Sequence, residues 1–137
     1  MRPFHHLRLI SASLLFALAL GCGAHKVILT HSPAVPAATG TVQVGHDDNG
    51  NSRIDLKVHH LAKPQNLNPP ASTYVVWLEA NGSRPQNLGQ LQVGDDLSTE
   101  FKATTPEKTF NLFVTAENDA RAQFPSGVEV LRSAIQR

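Results

Sequence analysis

Tyr74-Val75-Val76-Trp77-Leu78-Glu79-Ala80-Asn81-Gly82 is the stretch that decides the fold. Successive side chains of a strand point to opposite faces. Tyr74, Val76 and Leu78 therefore share one face, and Val75, Trp77 and Glu79 the other. An Asn-Gly pair follows at once, the residue pair that a tight hairpin turn accepts best. The same period of two recurs on both sides of this segment. Upstream, Val42 and Val44 alternate with Thr41 and Gln43, and Ile54, Leu56 and Val58 alternate with charged neighbours. The intervening His46-Asp47-Asp48-Asn49-Gly50-Asn51 is dense in turn formers, so 41–60 reads as a β-hairpin. Downstream, Leu88, Leu91 and Val93 lead to a turn at Gly94-Asp95-Asp96, and Leu97 to Ala103 forms a short strand. Phe110, Leu112 and Val114 alternate with Asn111, Phe113 and Thr115, and Pro125-Ser126-Gly127 breaks the chain before Val128 to Ile135. About seven short strands with frequent turns predict an all-β, immunoglobulin-like antiparallel β-sandwich over residues 41–137. Trp77, the single tryptophan, belongs in its core beside Phe110, Leu112 or Phe113.

The 137-residue chain opens differently. Arg2 and Arg8, with His5 and His6, form a positive start; Leu9 to Leu20 is apolar apart from Ser11 and Ser13; Gly21-Cys22-Gly23 follows. A membrane-spanning helix needs about 20 apolar residues, so this shorter run reads as the helix of a cleavable signal peptide, residues 1–21. Residues 22–40 read as a processed N-terminus and a linker. Its Pro33, Ala34, Pro36, Ala37, Ala38 and Thr39 suggest an extended tether over 30–40, with an edge strand around 25–30 as the competing reading.

Ala19-Leu20-Gly21-Cys22 resembles the lipobox of bacterial lipoproteins, although leucine usually stands one position earlier. The resemblance implies cleavage before Cys22, transfer of diacylglyceryl to its sulfur, and a membrane anchor that faces the periplasm or the exterior of a bacterial cell. A thiol is the one side chain here nucleophilic enough to take the lipid. An ordinary secretory signal would leave the placement of the only cysteine unexplained, and that cysteine cannot form an internal disulfide.

A second resemblance spans residues 54–135. Tyr74-Val75-Val76-Trp77-Leu78, then Gly82, Pro85 and Leu88-Gly89, the strand Phe110 to Ala116, the Pro125-Ser126-Gly127 turn and Val128 to Leu131 are similar to the extracytoplasmic C-terminal domain of anti-sigma-K factors. It implies an all-β, sensor-like domain outside the cytoplasm. The family's sigma-binding zinc-finger segment and transmembrane helix have no counterpart here.

Without residues 1–21, ten Lys and Arg face eleven Asp and Glu. That balance offers no basic patch to neutralise phosphates, so nucleic acid is not an expected partner. The expected partners are the membrane, through acylated Cys22, and a protein of the cell envelope, bound by a monomer. One cysteine also excludes a Cys-x-x-Cys zinc site. A calcium loop with Gly50 sixth would put Gly45 first, Ser52 eighth and Leu56 twelfth, where such loops want Asp, an aliphatic residue and Glu. Those three mismatches leave a hairpin turn. His59 and His60 are adjacent and diverge on a strand, and His25, His31 and His46 follow no ligand spacing. Copper-zinc superoxide dismutase is similar in general outline, but the His-x-His pair that would support it is missing. Asp47-Asp48 and Asp95-Asp96 sit in turns, and no Gly-x-Ser-x-Gly elbow exists for a serine nucleophile. The expectation is a non-enzymatic module with no metal and no cofactor. The alternative is a small periplasmic metal-binding protein that uses His59 or His60 with the 46–51 loop.

Overall fold

In the computed structural model, which describes residues 23–135, the period of two becomes eight antiparallel strands. These are β1 (His25–His31), β2 (Thr39–His46), β3 (Ser52–His59), β4 (Thr73–Glu79), β5 (Gln86–Leu91), β6 (Thr99–Thr105), β7 (Phe110–Glu117) and β8 (Val128–Ile135). Between β3 and β4 lies a single 3-10 turn, Pro64–Asn66. Among the described residues no helix is long and apolar enough to cross a membrane.

The strands form one ladder in the order β5-β4-β7-β8-β1-β2-β3-β6. Strands β4 to β7 make a Greek key, because β7 returns to lie beside β4 after the β4–β5 hairpin and β6. The β4–β5 turn is the one the Asn-Gly pair predicts: Asn81 and Gly82 have φ of 42° and 73°, and Ser83 N–H donates to Ala80 O at 2.7 Å. The two ends of the ladder, β5 and β6, meet where the Phe101 ring packs against Gly89. A Cβ there would lie 3.2 Å from the ring. The sheet is therefore a nearly closed barrel.

Alternation explains what fills it. Val42, Val44, Ile54, Leu56 and Val58 are fully buried on the inner face of β2 and β3, while Gln43, Arg53 and Lys57 point out. Tyr74, Val76, Leu78, Leu112, Val114, Leu131 and Ile135 join them from the other half in a single cluster. Burying each such aliphatic side chain is worth about 1.5–3 kcal/mol. Burial pushes the Tyr74 phenol up to about 12. Its hydroxyl donates to Ala62 O at 2.7 Å, tying the β3–β4 connection to the barrel.

Two sequence expectations need correcting. The strands number eight, not about seven, and begin at His25, where the competing reading put an edge strand around 25–30; in the ladder that strand lies between β8 and β2. Val27 and Leu29 face inward while Ile28 faces out, and β1 pairs with β2 from His25 to Leu29 and with β8 at Thr30 and His31. The stretch read as a tether over 30–40 is part of the domain. Val35 and Ala38 are each 2% exposed in the core, and Ser32 N–H donates to Val130 O. Residues 1–21, read as a signal peptide, and Cys22, read as the lipidation site, lie outside the described residues.

Candidate functional site

Strand β4 is buried on both faces. Tyr74, Val76 and Leu78 belong to the barrel interior, whereas Val75 and Trp77 face outward and form a second cluster with Phe113 of β7. Trp77 is directly paired with Phe113, with ring centroids 6.4 Å apart and planes 17° from parallel. Arg132 of β8 extends the row, its guanidinium 4.3 Å from the Phe113 ring centre. Glu129 holds it there through two hydrogen bonds of 2.7 and 2.6 Å, which also keep the Arg132 pKa above its ordinary value. Phe110 and Leu112, the other neighbours expected for Trp77, lie in the main core.

The cover over this outer cluster is the β7–β8 connection, residues 118–127, and one carboxylate fastens it down. Trp77 Nε1 donates to Thr115 Oγ1 at 2.8 Å, and Thr115 Oγ1 donates to Glu117 Oε1 at 2.6 Å. Glu117 also accepts from Ser126 N–H at 2.9 Å, Gly127 N–H at 3.0 Å and Ser126 Oγ at 2.8 Å. The residue is 3% exposed. Burial pushes its carboxyl up, but the bonds from Thr115, the two backbone amides and the Ser126 hydroxyl outweigh that and hold it below the ordinary glutamate value. Its oxygens are committed to holding a loop, so the carboxylate serves as a clasp and is poorly placed to take a proton from a substrate. From the other side, Asn87 Nδ2 of β5 donates to Ala120 O and Ala122 O at 3.0 and 2.9 Å. Between β5 and the loop runs an open groove of about 720 Å³, floored by Asn87 and Leu88 and walled by Arg121 and Gln123.

Sequence reasoning missed Glu117. Its signal was faint: Glu117 has the parity of Phe113 and Thr115 on a strand beside an indole that needs an acceptor.

The candidate metal and acid sites that the sequence did single out lie in turns or at a strand end. Asp47 Oδ1 accepts from the backbone N–H of Asn49 and Asn51 at 2.9 and 2.7 Å, and Oδ2 accepts from Asn51 Nδ2 at 2.8 Å. The Asn51 side chain, against slight desolvation, and the two amides keep the Asp47 carboxyl below the usual aspartate value. Lys108 Nζ donates to Gly50 O. The loop's side-chain oxygens thus stabilise its own hairpin. His59 Nδ1 lies 3.1 Å from Ser98 Oγ, while His60 sits beyond the strand end with φ of 56°. Asp95 pairs with Lys63 at 2.7 Å, and Asp96 accepts from Ser98 N–H at 3.1 Å. Among the described residues, no three His, Cys, Asp or Glu side chains come together in a way that could hold a metal ion.

No family model matches the chain, and no curated protein matches it.

Proposed function

We propose that the chain is the precursor of a bacterial lipoprotein whose mature form, anchored through acylated Cys22, displays a rigid β module on the outer side of a membrane. The module binds a protein partner of the cell envelope as a monomer and carries out no chemistry of its own. The observation that carries this reading is the order of the first 22 residues: basic start, Leu9 to Leu20, then Gly21-Cys22 with the chain's only cysteine at its end. Several acyl chains hold a protein on a bilayer where one does so only marginally, so no membrane helix is required of the rest.

The binding role is supported by the shape of the molecule. The clasped loop and the groove beside β5 form a surface fixed by hydrogen bonds on both sides, which suits recognition without rearrangement. A flattened, immunoglobulin-like description of the barrel, and a sensor-like role of the kind implied by the likeness to anti-sigma-K factors, are compatible with it. In the metal-binding alternative Asp47 has little to offer, since Oδ1 already accepts two hydrogen bonds and Oδ2 one. Fractionation of cells expressing the full chain tests the proposal. The wild type is expected with the membranes, and Cys22→Ser in the soluble fraction. A Cys22→Ser protein that stays with the membranes as fully as the wild type overturns it.

A further inference from the structure

The anchor proposed above has an orientation built into it. Only Gly23 and Ala24 separate Cys22 from the first residue of β1. The three steps from Cys22 to His25 span at most about 11 Å, a few Å more than the depth of one headgroup layer. The barrel is thus held against the bilayer by β1 and cannot stand off from it. On that strand Ile28 is 76% exposed, more than any other large apolar side chain among the described residues. The outward residues beside it are Lys26 and Thr30 on β1, Thr39, Thr41 and Gln43 on β2, and Arg132 on β8, which is paired with Thr30 and held by Glu129. Acids reach the margins of this flank, each held by a cation: Asp55 of β3, opposite Gln43, pairs with Lys102, and Glu129 of β8 pairs with Arg132.

We propose that the β1–β2 flank lies on the phospholipid surface, with Ile28 at headgroup depth and Lys26 beside it facing anionic lipid. This rests on the lipoprotein reading and adds a face to it. An isolated exposed isoleucine needs no explanation. One placed six residues from a lipid anchor, on a flank whose marginal acids are each paired with a cation, is where a bilayer would meet it. The strand order has a further consequence. In the nearly closed ring β5 stands four places from β1, so the groove between β5 and the 118–127 loop faces away from the membrane, open to a partner.

The test uses the full chain carrying Ile28→Cys, extracted from membranes with its native Cys22 and reconstituted in phosphatidylethanolamine–phosphatidylglycerol vesicles. With Cys22 acylated, residue 28 holds the only free thiol and takes an environment-sensitive fluorophore. Gln123→Cys at the groove is the control. The expected result is quenching by headgroup-spin-labelled lipid at least threefold stronger at residue 28 than at residue 123, with a blue-shifted emission. Equal, weak quenching at both positions on an acylated protein overturns the orientation and leaves the anchor standing. Disulfide-linked dimers through residue 28 without lipid quenching also overturn it, and assign the flank to a second copy. An unacylated thiol at residue 22, read by intact mass before labelling, overturns both proposals.

Discussion

Replacing Trp77 with alanine removes the largest side chain of the outer cluster and leaves Val75 and Phe113 facing a hole beneath the 118–127 loop. Truncating a buried aromatic costs about 3–5 kcal/mol, and Trp77 is fully buried. The Thr115 hydroxyl also loses the donor it accepts from, although it keeps Glu117. Domains of this size have about 5–15 kcal/mol in total, so Trp77→Ala is expected to leave the protein marginal. At about 4 °C per kcal/mol, its Tm should fall by roughly 12–20 °C. Trp77→Phe separates the two contributions. It keeps most of the packing and deletes the indole N–H, which predicts a loss of about 0.5–1.5 kcal/mol. Urea unfolding followed by far-ultraviolet circular dichroism reads both variants, and hydrogen exchange over 118–127 reads whether damage concentrates under the loop. A Trp77→Ala cost below about 1 kcal/mol, or a wild-type Trp77 emission maximum like that of indole in water, would refute the placement of this side chain.

Glu117→Gln is expected to cost about 1–3 kcal/mol at pH 7, because the donors gathered on the carboxylate lose a charged acceptor. The folded pKa is depressed, so the carboxylate's contribution is complete above its unfolded pKa of about 4.3 and is lost as pH falls through the lower folded value. Wild-type and Glu117→Gln stability curves should therefore converge in acid, and a gap that persists there would contradict the clasp. Gly127→Ala should destabilise by about 3 kcal/mol or express only in aggregates, since the new Cβ would lie 1.6 Å from Ala116 O; an ordinary melting curve would show that the loop does not run so close to β7. Neither calcium nor zinc should raise the Tm. A site filled at a hundred times its dissociation constant would add about 2.7 kcal/mol, so a saturable rise of several degrees would restore the metal reading of residues 46–51.

The alternation of apolar residues carried most of the barrel into view. Val42 to Val58 and Phe110 to Val114 lie on the faces their period assigns, and the unbroken run Tyr74 to Leu78 signals a strand covered on both sides. The Asn81-Gly82 turn and the 46–51 hairpin were legible because their conformations are decided by neighbours in sequence. Strand β1 was not. Val27-Ile28-Leu29 is too short to display a period, and its second partner, Leu131, lies near the far end of the chain. Val35 and Ala38 hide in a proline-bearing stretch whose burial follows from the path between β1 and β2. The cover of Trp77 escaped for the same reason. Residues 118–123 are mostly polar, and they reach the outer cluster only because Glu117 gathers amides nine and ten residues further on.

The central claim, a lipid-anchored module that starts at Cys22, is tested most directly by the intact mass of the full chain extracted from membranes. The predicted species begins at Cys22 and carries a diacylglyceryl group on that residue. A chain that begins elsewhere, or one that begins at Cys22 with an unmodified thiol, would contradict the account.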